Sequence, residues 1–352
     1  MGTHITSLHN KELWLFEKTG SLYLFLKKNY IFFVTHVTEQ SPSTLPESSS
    51  GPKKAHMDHI GQIFRPPSEA ESLLLQISLG CSHNKCTYCA MYDDPSQGFR
   101  IKKWETIAAD IDEAASWGAR GLTIRRVFLC DGDALILPQD FLEKVLLKLR
   151  EKIPSVRRVG IYGDARSILR KTPAQLLRLK ELGLGIVYHG VESGDDEVLA
   201  QVKKGSNAAE AVESAERLKE AGLRHSVMVM LGLAGTSGSR RHAQATAEIL
   251  TAMDPPFVGA LTTTLVPGTP LFDQGEKGEF TLPDRWEILE ELRIIIRESR
   301  FTRCRFHSNH ASNHLPLSLN LPTDKDKALK MLDQVLDRRD GDDLKPEYLR
   351  GL

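Results

Sequence analysis

The sequence has no excess of either charge: 46 Lys and Arg stand against 46 Asp and Glu, a formal net charge of zero. That removes the broad positive footprint by which a chain grips a nucleic-acid backbone. Short basic clusters occur at Arg100 to Lys103, Arg125–Arg126 and Arg157–Arg158, and read as solvated surface. The chain also lacks a membrane span. Its apolar stretch from Trp14 to Val37 is broken by Glu17, Lys18, Lys27 and Lys28, whereas a span needs about 20 nearly uncharged residues. It has no compact apolar core followed by a small-residue cleavage site, as a secretory leader would. Cysteine is scarce: five in 352 residues, an odd number and too sparse for the disulfide framework of a small secreted domain. Yet three of the five fall within nine residues. Thiols clustered in an otherwise cysteine-poor chain point to metal ligands and a reducing, cytoplasmic compartment.

Hydrophobic residues make up 41% and charged residues 26%, a globular composition, and the length suits one large α/β barrel or two ordinary domains. Residues 1–56 stand apart as a disordered or non-native extension: no period there continues into the rest, and Gln40 to Lys54 is a Ser- and Pro-rich linker. Folding is expected to begin near Met57, itself a candidate start of the natural protein. A peripheral anchor in 11–37 is the other reading of the extension.

From residue 72, apolar runs alternate with helical periods. Leu73–Leu79, Arg126–Cys130, Arg158–Tyr162, Gly185–Gly190, Ser226–Leu231 and Phe257–Leu265 read as strands. Between and after them, Trp104–Trp117, Phe141–Leu149, Pro173–Leu182, Asp195–Val202, Ala208–Ala221, Gly238–Met253 and Arg285–Arg300 carry helical spacing. Six β-α repeats with nearly unbroken apolar strands call for a parallel sheet buried on both faces. The expected fold is α/β: a partial (β/α)6 barrel of TIM type with parallel strands over 57–270, then a C-terminal helical extension and closing loop over 271–352. Polar or glycine-bearing segments follow each strand, which would gather them at one mouth, where such barrels do their chemistry.

The first of these segments reads Gly80-Cys-Ser-His-Asn-Lys-Cys-Thr-Tyr-Cys89. Cysteines at such close spacing build iron–sulfur sites, and three thiolates leave one iron of a cubane without a protein ligand. Two other readings stay open. Cys86-x-x-Cys89 fits half of a zinc site, with Cys81 or His83 contributing, although no second ligand pair follows downstream. It also fits a redox dithiol after a strand, which would leave Cys81 without a role. Cys130 and Cys304 stand alone and read as buried small hydrophobes, so no second cluster is expected.

The loop resembles that of the radical S-adenosylmethionine (SAM) superfamily, whose usual pattern is Cys-x3-Cys-x2-Cys with an aromatic residue before the last cysteine. Tyr88 fills the aromatic position; four residues, not three, separate Cys81 from Cys86. The resemblance extends over residues 70–270. It implies that Cys81, Cys86 and Cys89 hold a 4Fe-4S cluster and that SAM binds the open iron. It also implies that Tyr88 packs near the adenine and that Asp131-Gly132-Asp133 after the second strand meets the SAM ammonium. After the third strand Arg166 would pair with the SAM carboxylate. After the fourth, Gly190-Val-Glu-Ser-Gly194 and Lys203-Lys-Gly205 resemble the ribose- and methionine-contacting segment, with Glu192 on the ribose hydroxyls and Ser193 and Lys204 beside it. Bland readings accompany these: an Asx turn at 131–133, a surface ion pair at Arg166, a helix cap at Ser193. Met228 to Gly235 resembles the fifth strand and glycine turn near the adenine.

Beyond the barrel, Arg303 to Leu317 packs His307, His310 and His314 with Asn309 and Asn313 into a stretch too polar for an amphipathic helix. It is read as a loop closing the barrel, with His307, Asn309, His310 and Asn313 as substrate-facing candidates; exposed histidines on a capped turn, or a metal site, are its other readings. A terminal helix over 324–337 follows. The resemblance implies reductive cleavage of S-adenosyl-L-methionine to a 5′-deoxyadenosyl radical that takes hydrogen from an unidentified substrate. A flavodoxin or ferredoxin-type protein would be the electron donor. A zinc- or cluster-containing binding protein without turnover, and an RNA-modifying radical SAM enzyme, are the alternatives.

Overall fold

The computed structural model describes residues 57–92 and 98–351, except the side chain of Ala119, together with the backbone of 13–18 and 21–26. Two compact units divide the chain, Met1–Lys54 and Ala55–Leu352. In the first, β1 (Leu13–Lys18) and β2 (Ser21–Leu26) pair antiparallel. Both runs are almost continuously apolar, so they carry little period-two signal.

The second unit is built on eight strands: β3 (Leu73–Gln76), β6 (Arg126–Cys130), β7 (Arg158–Tyr162), β8 (Leu184–Glu192), β9 (Arg224–Leu231), β10 (Phe257–Thr262), β11 (Cys304–His307) and β12 (Ser318–Leu321). Their order is β12-β11-β10-β9-β8-β7-β6-β3, parallel throughout except for β12. The six expected strands are all present in one parallel array, the open sheet of a partial TIM-type barrel, with β3 and β12 at its edges. A two-residue pair, β4 (Ser78–Leu79) with β5 (Arg100–Ile101), brackets the cysteine loop. The helices are α1 (Trp104–Ala119), α2 (Gln139–Lys152), α3 (Ala165–Leu169), α4 (Pro173–Glu181), α5 (Asp196–Gln201), α6 (Ala208–Glu220), α7 (Gly235–Met253), α8 (Pro270–Glu276), α9 (Arg285–Glu298) and α10 (Lys325–Arg338). No helix among the described residues is long and apolar enough to cross a membrane.

Alternation along the strands divides the core into two layers. On β8 and β9, Val187, Val191, Val227 and Val229 face outward into apolar clusters shared with the helices. Ile186, Tyr188 and Met228 face inward and pack with Phe128, Cys130, Tyr162 and Phe257. The inner cluster is aromatic: Phe128 meets Tyr162 edge-on at 4.9 Å and Tyr188 at 5.7 Å. Against it lies the fully buried Glu69, whose carboxylate accepts from Arg158, Ser72 and the Tyr188 hydroxyl.

The expected closing loop over 303–317 begins instead as a strand. Cys304 and Phe306 join the outer core while Arg305 and His307 face the other way, so β11 extends the parallel array, and β12 returns beside it. The His- and Asn-rich stretch is the connection between them.

Candidate functional site

Parallel strands place every β-to-α connection at one edge of the sheet, and the expected site residues follow from that. The cysteine loop leaves β4 and is pinned at both sides: Thr87 N donates to Val202 O (3.0 Å) and Leu271 N to Thr87 O (2.9 Å). Cys81, Cys86 and Cys89 are half-buried free thiols. Burial pushes the Cys89 thiol up to about 11, and the neighbouring Cys86 and Cys81 add to the rise. Burial raises Cys86 as well, against the pull of the Lys204 ammonium. Tyr88 packs with Val198, Val202 and Leu233 of α5 and the turn after β9.

Asp131 and Asp133 are each only 1% exposed, and the chain itself uses both carboxylates. Asp131 accepts from Gln76 Nε2 (3.0 Å) and from the Tyr92 hydroxyl (3.1 Å). Asp133 accepts from Ser82 Oγ (2.5 Å) and Asp164 N (3.3 Å). Burial raises Asp131 to about 6 and Asp133 to about 7, the latter helped by the adjacent Asp164. Between them Gly132 touches the loop: a Cβ there would lie 2.9 Å from Cys81 Cβ and 2.7 Å from Tyr92 Cε2. Thus 131–133 forms the seat of the cysteine loop.

Arg166, on α3, is paired with Asp164 through Nε (2.9 Å), and its Nη1 lies 2.9 Å from His83 Nδ1. The other His83 nitrogen is 2.6 Å from Lys203 O. A bulge at the end of β8 carries Glu192 in the left-handed region, φ 69°. Its carboxylate meets Lys204 Nζ at 3.1 Å, both side chains about one-tenth exposed (12% and 11%). Burial works against the Lys204 charge, but Glu192 and Cys86 outweigh it and hold the ammonium above its usual range. Ser193 is fully buried; its hydroxyl lies 2.7 Å from His242 Nδ1 and accepts from Asp195 N at 2.9 Å.

The His- and Asn-rich candidates divide. His307 is half-buried at the end of β11, with Nδ1 3.2 Å from Ser318 Oγ. Asn309 is exposed, and His310 turns to Ser312 at 2.9 Å. Asn313 is buried and tied to β10, donating to Ala260 O and accepting from Thr262 Oγ1, both at 2.8 Å. That anchors the connection, and leaves His307 as the strand-borne candidate on the inner face.

Among the described residues no three His, Cys, Asp or Glu side chains converge on a point where one metal ion would sit. Zinc sites need such convergence and a fourth ligand. A cubane instead takes each thiolate on a separate iron. Three thiols on one pinned loop, with a glycine cleared beneath Cys81, therefore fit a 4Fe-4S cluster.

The sequence profile described as the radical SAM superfamily matches residues 75–243, from β3 into α7. That stretch is a radical SAM domain. The cofactor pair of that domain is a 4Fe-4S cluster and S-adenosyl-L-methionine. Solved structures similar to it include the radical SAM methyltransferase TsrM from Kitasatospora setae, 17% identical over 60% of this chain and 41% of that one, TM-score 0.49. Methylornithine synthase PylB is 17% identical over 65% and 63%, TM-score 0.46. Coproporphyrinogen III oxidase HemN from Escherichia coli is 15% identical over 64% and 51%, TM-score 0.48. The chain described here spans less than two thirds of the length of each. No curated protein matches it in sequence.

Residues outside the expected SAM-contacting set also shape the site. Gln76 and Tyr92 hold Asp131, His83 bridges to Lys203 and Arg166, and His242 holds Ser193. His83 had a local signal, since it lies in the four-residue spacer; the others sit on elements whose periodicity reports only burial.

Proposed function

We propose that this protein is a radical SAM enzyme in which Cys81, Cys86 and Cys89 hold the cluster, and that it abstracts hydrogen from a substrate seated against the inner face of the sheet. When bound, the cluster and SAM supply a one-electron cleavage that yields methionine and a 5′-deoxyadenosyl radical. The protein's part is to bind, orient and exclude water. The reading is carried by three free, half-buried thiols on one loop at the C-terminal edge of the partial barrel.

In this reading Asp131, Gly132 and Asp133 seat the loop beside the SAM ammonium. Arg166, held by Asp164 and His83, offers its planar fork to the SAM carboxylate. Glu192, paired with Lys204, accepts from the ribose hydroxyls. Ser193 shapes the same connection through its backbone, and Tyr88 walls the adenine side. His307 presents an imidazole toward the substrate. The electron donor is a flavodoxin or ferredoxin-type protein.

Anaerobic reconstitution tests this. The protein should turn brown with about four irons per chain, release 5′-deoxyadenosine with dithionite and SAM, and lose both properties in a Cys81/Cys86/Cys89→Ala triple variant. A colourless zinc-loaded protein without SAM cleavage would end the proposal.

A further inference from the structure

Glu291 lies on α9, outside the stretch matched by the superfamily profile, and is fully buried. One carboxylate oxygen accepts from the backbone N–H of Gly232 at 2.7 Å, and the Ser239 hydroxyl also supports the carboxylate. Burying a carboxyl is costly unless such partners hold it. The group it holds is the first residue of the glycine turn after β9. Gly232 has φ 78°, and a Cβ on it would come within 2.6 Å of Ile288 Cδ1, one turn before Glu291 on the same helix. The turn thus rests directly on α9.

Beside Glu291, at 4.0 Å, stands His242 of α7, also fully buried. Its ring spans the ends of two strands: Nε2 lies 2.8 Å from Met230 O on β9, and Nδ1 lies 2.7 Å from Ser193 Oγ after β8. A carbonyl can only accept, so Nε2 carries the proton and Nδ1 accepts from Ser193. Ser193 in turn accepts from Asp195 N. Burial lowers the His242 pKa, in keeping with a neutral ring. The chain α9–Glu291–Gly232, with His242 alongside, therefore reaches the connections after both β8 and β9.

We propose that Glu291 and His242 are positioning residues for the adenosine half of SAM: Glu291 fixes the glycine turn, His242 locks the two strand ends together, and the C-terminal extension thereby sets the nucleoside cleft. This rests on the radical SAM reading of the site.

The test uses the full-length, anaerobically reconstituted protein and SAM itself. Glu291→Leu leaves the Gly232 N–H buried and unpaired, and should raise the dissociation constant of SAM about tenfold or more. Iron content should stay at the wild-type value. Amide exchange at 232–236 should quicken even without SAM. Glu291→Gln keeps an acceptor for Gly232 and should stay within about threefold of wild type. KM for SAM should rise in Glu291→Leu while kcat at saturating SAM changes little. If Glu291→Leu does not fold, His242→Gln carries the comparison: one amide cannot span Met230 O and Ser193, so SAM binding should weaken while Glu291→Gln still binds. A folded, iron-loaded Glu291→Leu protein with wild-type SAM affinity and exchange overturns the proposal. A wild-type protein that holds no cluster and no SAM removes the radical SAM reading itself, and this inference with it.

Discussion

Gly205 and His83 occupy one space: a Cβ on Gly205 would lie 2.6 Å from His83 Cε1. The cysteine loop has one residue more than the usual pattern of its superfamily. Asn84 takes a left-handed backbone, φ 42°, while the His83 ring turns outward onto Lys203 O and Arg166. The extra residue thus becomes a strut between the cluster loop and the segment that carries Lys204.

Gly205→Ala tests that strut. The backbone there is left-handed, φ 76°, which costs an L-residue roughly 1–2 kcal/mol. The new methyl also evicts His83, at about 0.5–1.5 kcal/mol for each hydrogen bond lost. Urea unfolding of the cluster-free protein should show both losses. Because His83→Ala removes the clash, the double variant should be less destabilised than the sum of the singles. Strict additivity would show that the two residues do not share the space.

Gly132→Ala acts on the cluster rather than the fold. Its methyl would meet Cys81 at Cβ (2.9 Å) and at the backbone Cα (3.2 Å), and the backbone cannot rotate away. Cys81 must shift, so the variant should keep a wild-type far-ultraviolet spectrum yet retain less iron after anaerobic desalting. Full iron in a folded Gly132→Ala protein would mean that this contact does not hold Cys81.

How much of this was legible in the sequence depends on the range of the interactions. The bounds of β6 and β7 coincide with the apolar runs Arg126–Cys130 and Arg158–Tyr162, because a strand buried on both faces is written continuously and stopped by polar or glycine residues. The run Leu73–Leu79 hides a break: β3 ends at Gln76, and Ser78–Leu79 leaves to pair with β5. β11 escaped notice because four residues with one apolar face carry too little period, and only its neighbours β10 and β12 make it a strand. In the site, the cysteine spacing is local and was readable. The fate of the carboxylates was not: Asp131 finds Gln76 and Tyr92, and Asp133 finds Ser82, at separations of 55, 39 and 51 residues. Asn313 likewise is taken by Thr262 and Ala260 rather than left for a substrate.

The Glu192–Lys204 pair should show the asymmetry of buried ions. Lys204→Met strands the Glu192 carboxylate, whose side chain is 12% exposed, and should cost roughly 3 kcal/mol in unfolding free energy. Adding Glu192→Gln removes the stranded charge and should restore a large part of that loss, although SAM binding should fall in both variants. A double variant no more stable than Lys204→Met would show that the pair is not desolvated.

A second buried pair gives a pH prediction. His189 on β8 and His225 on β9 stack with ring centroids 5.3 Å apart, and His189 Nδ1 lies 3.1 Å from His225 Nε2. The outer nitrogens, His189 Nε2 and His225 Nδ1, have no partner. Burial lowers both pKa values, His225 to about 3; the charge of His225 and then of Lys204 lowers His189 further. An unfolded histidine takes up its proton below about pH 6.5. Between that point and about pH 3 the unfolded state therefore holds the extra proton, and stability falls as the solution is acidified, by about 1.4 kcal/mol per pH unit for His225. Buried carboxyls act oppositely: Glu291, raised to about 7, and Asp131, raised to about 6, bind protons more readily folded than unfolded. The wild-type profile is the sum of the two and can be nearly flat, so the difference between variants is the decisive quantity. His225→Leu should lose about 2 kcal/mol less than wild type on going from pH 7.5 to pH 5 in denaturant titrations. Parallel profiles for the two proteins would mean that His225 is charged in the fold, or that water reaches it.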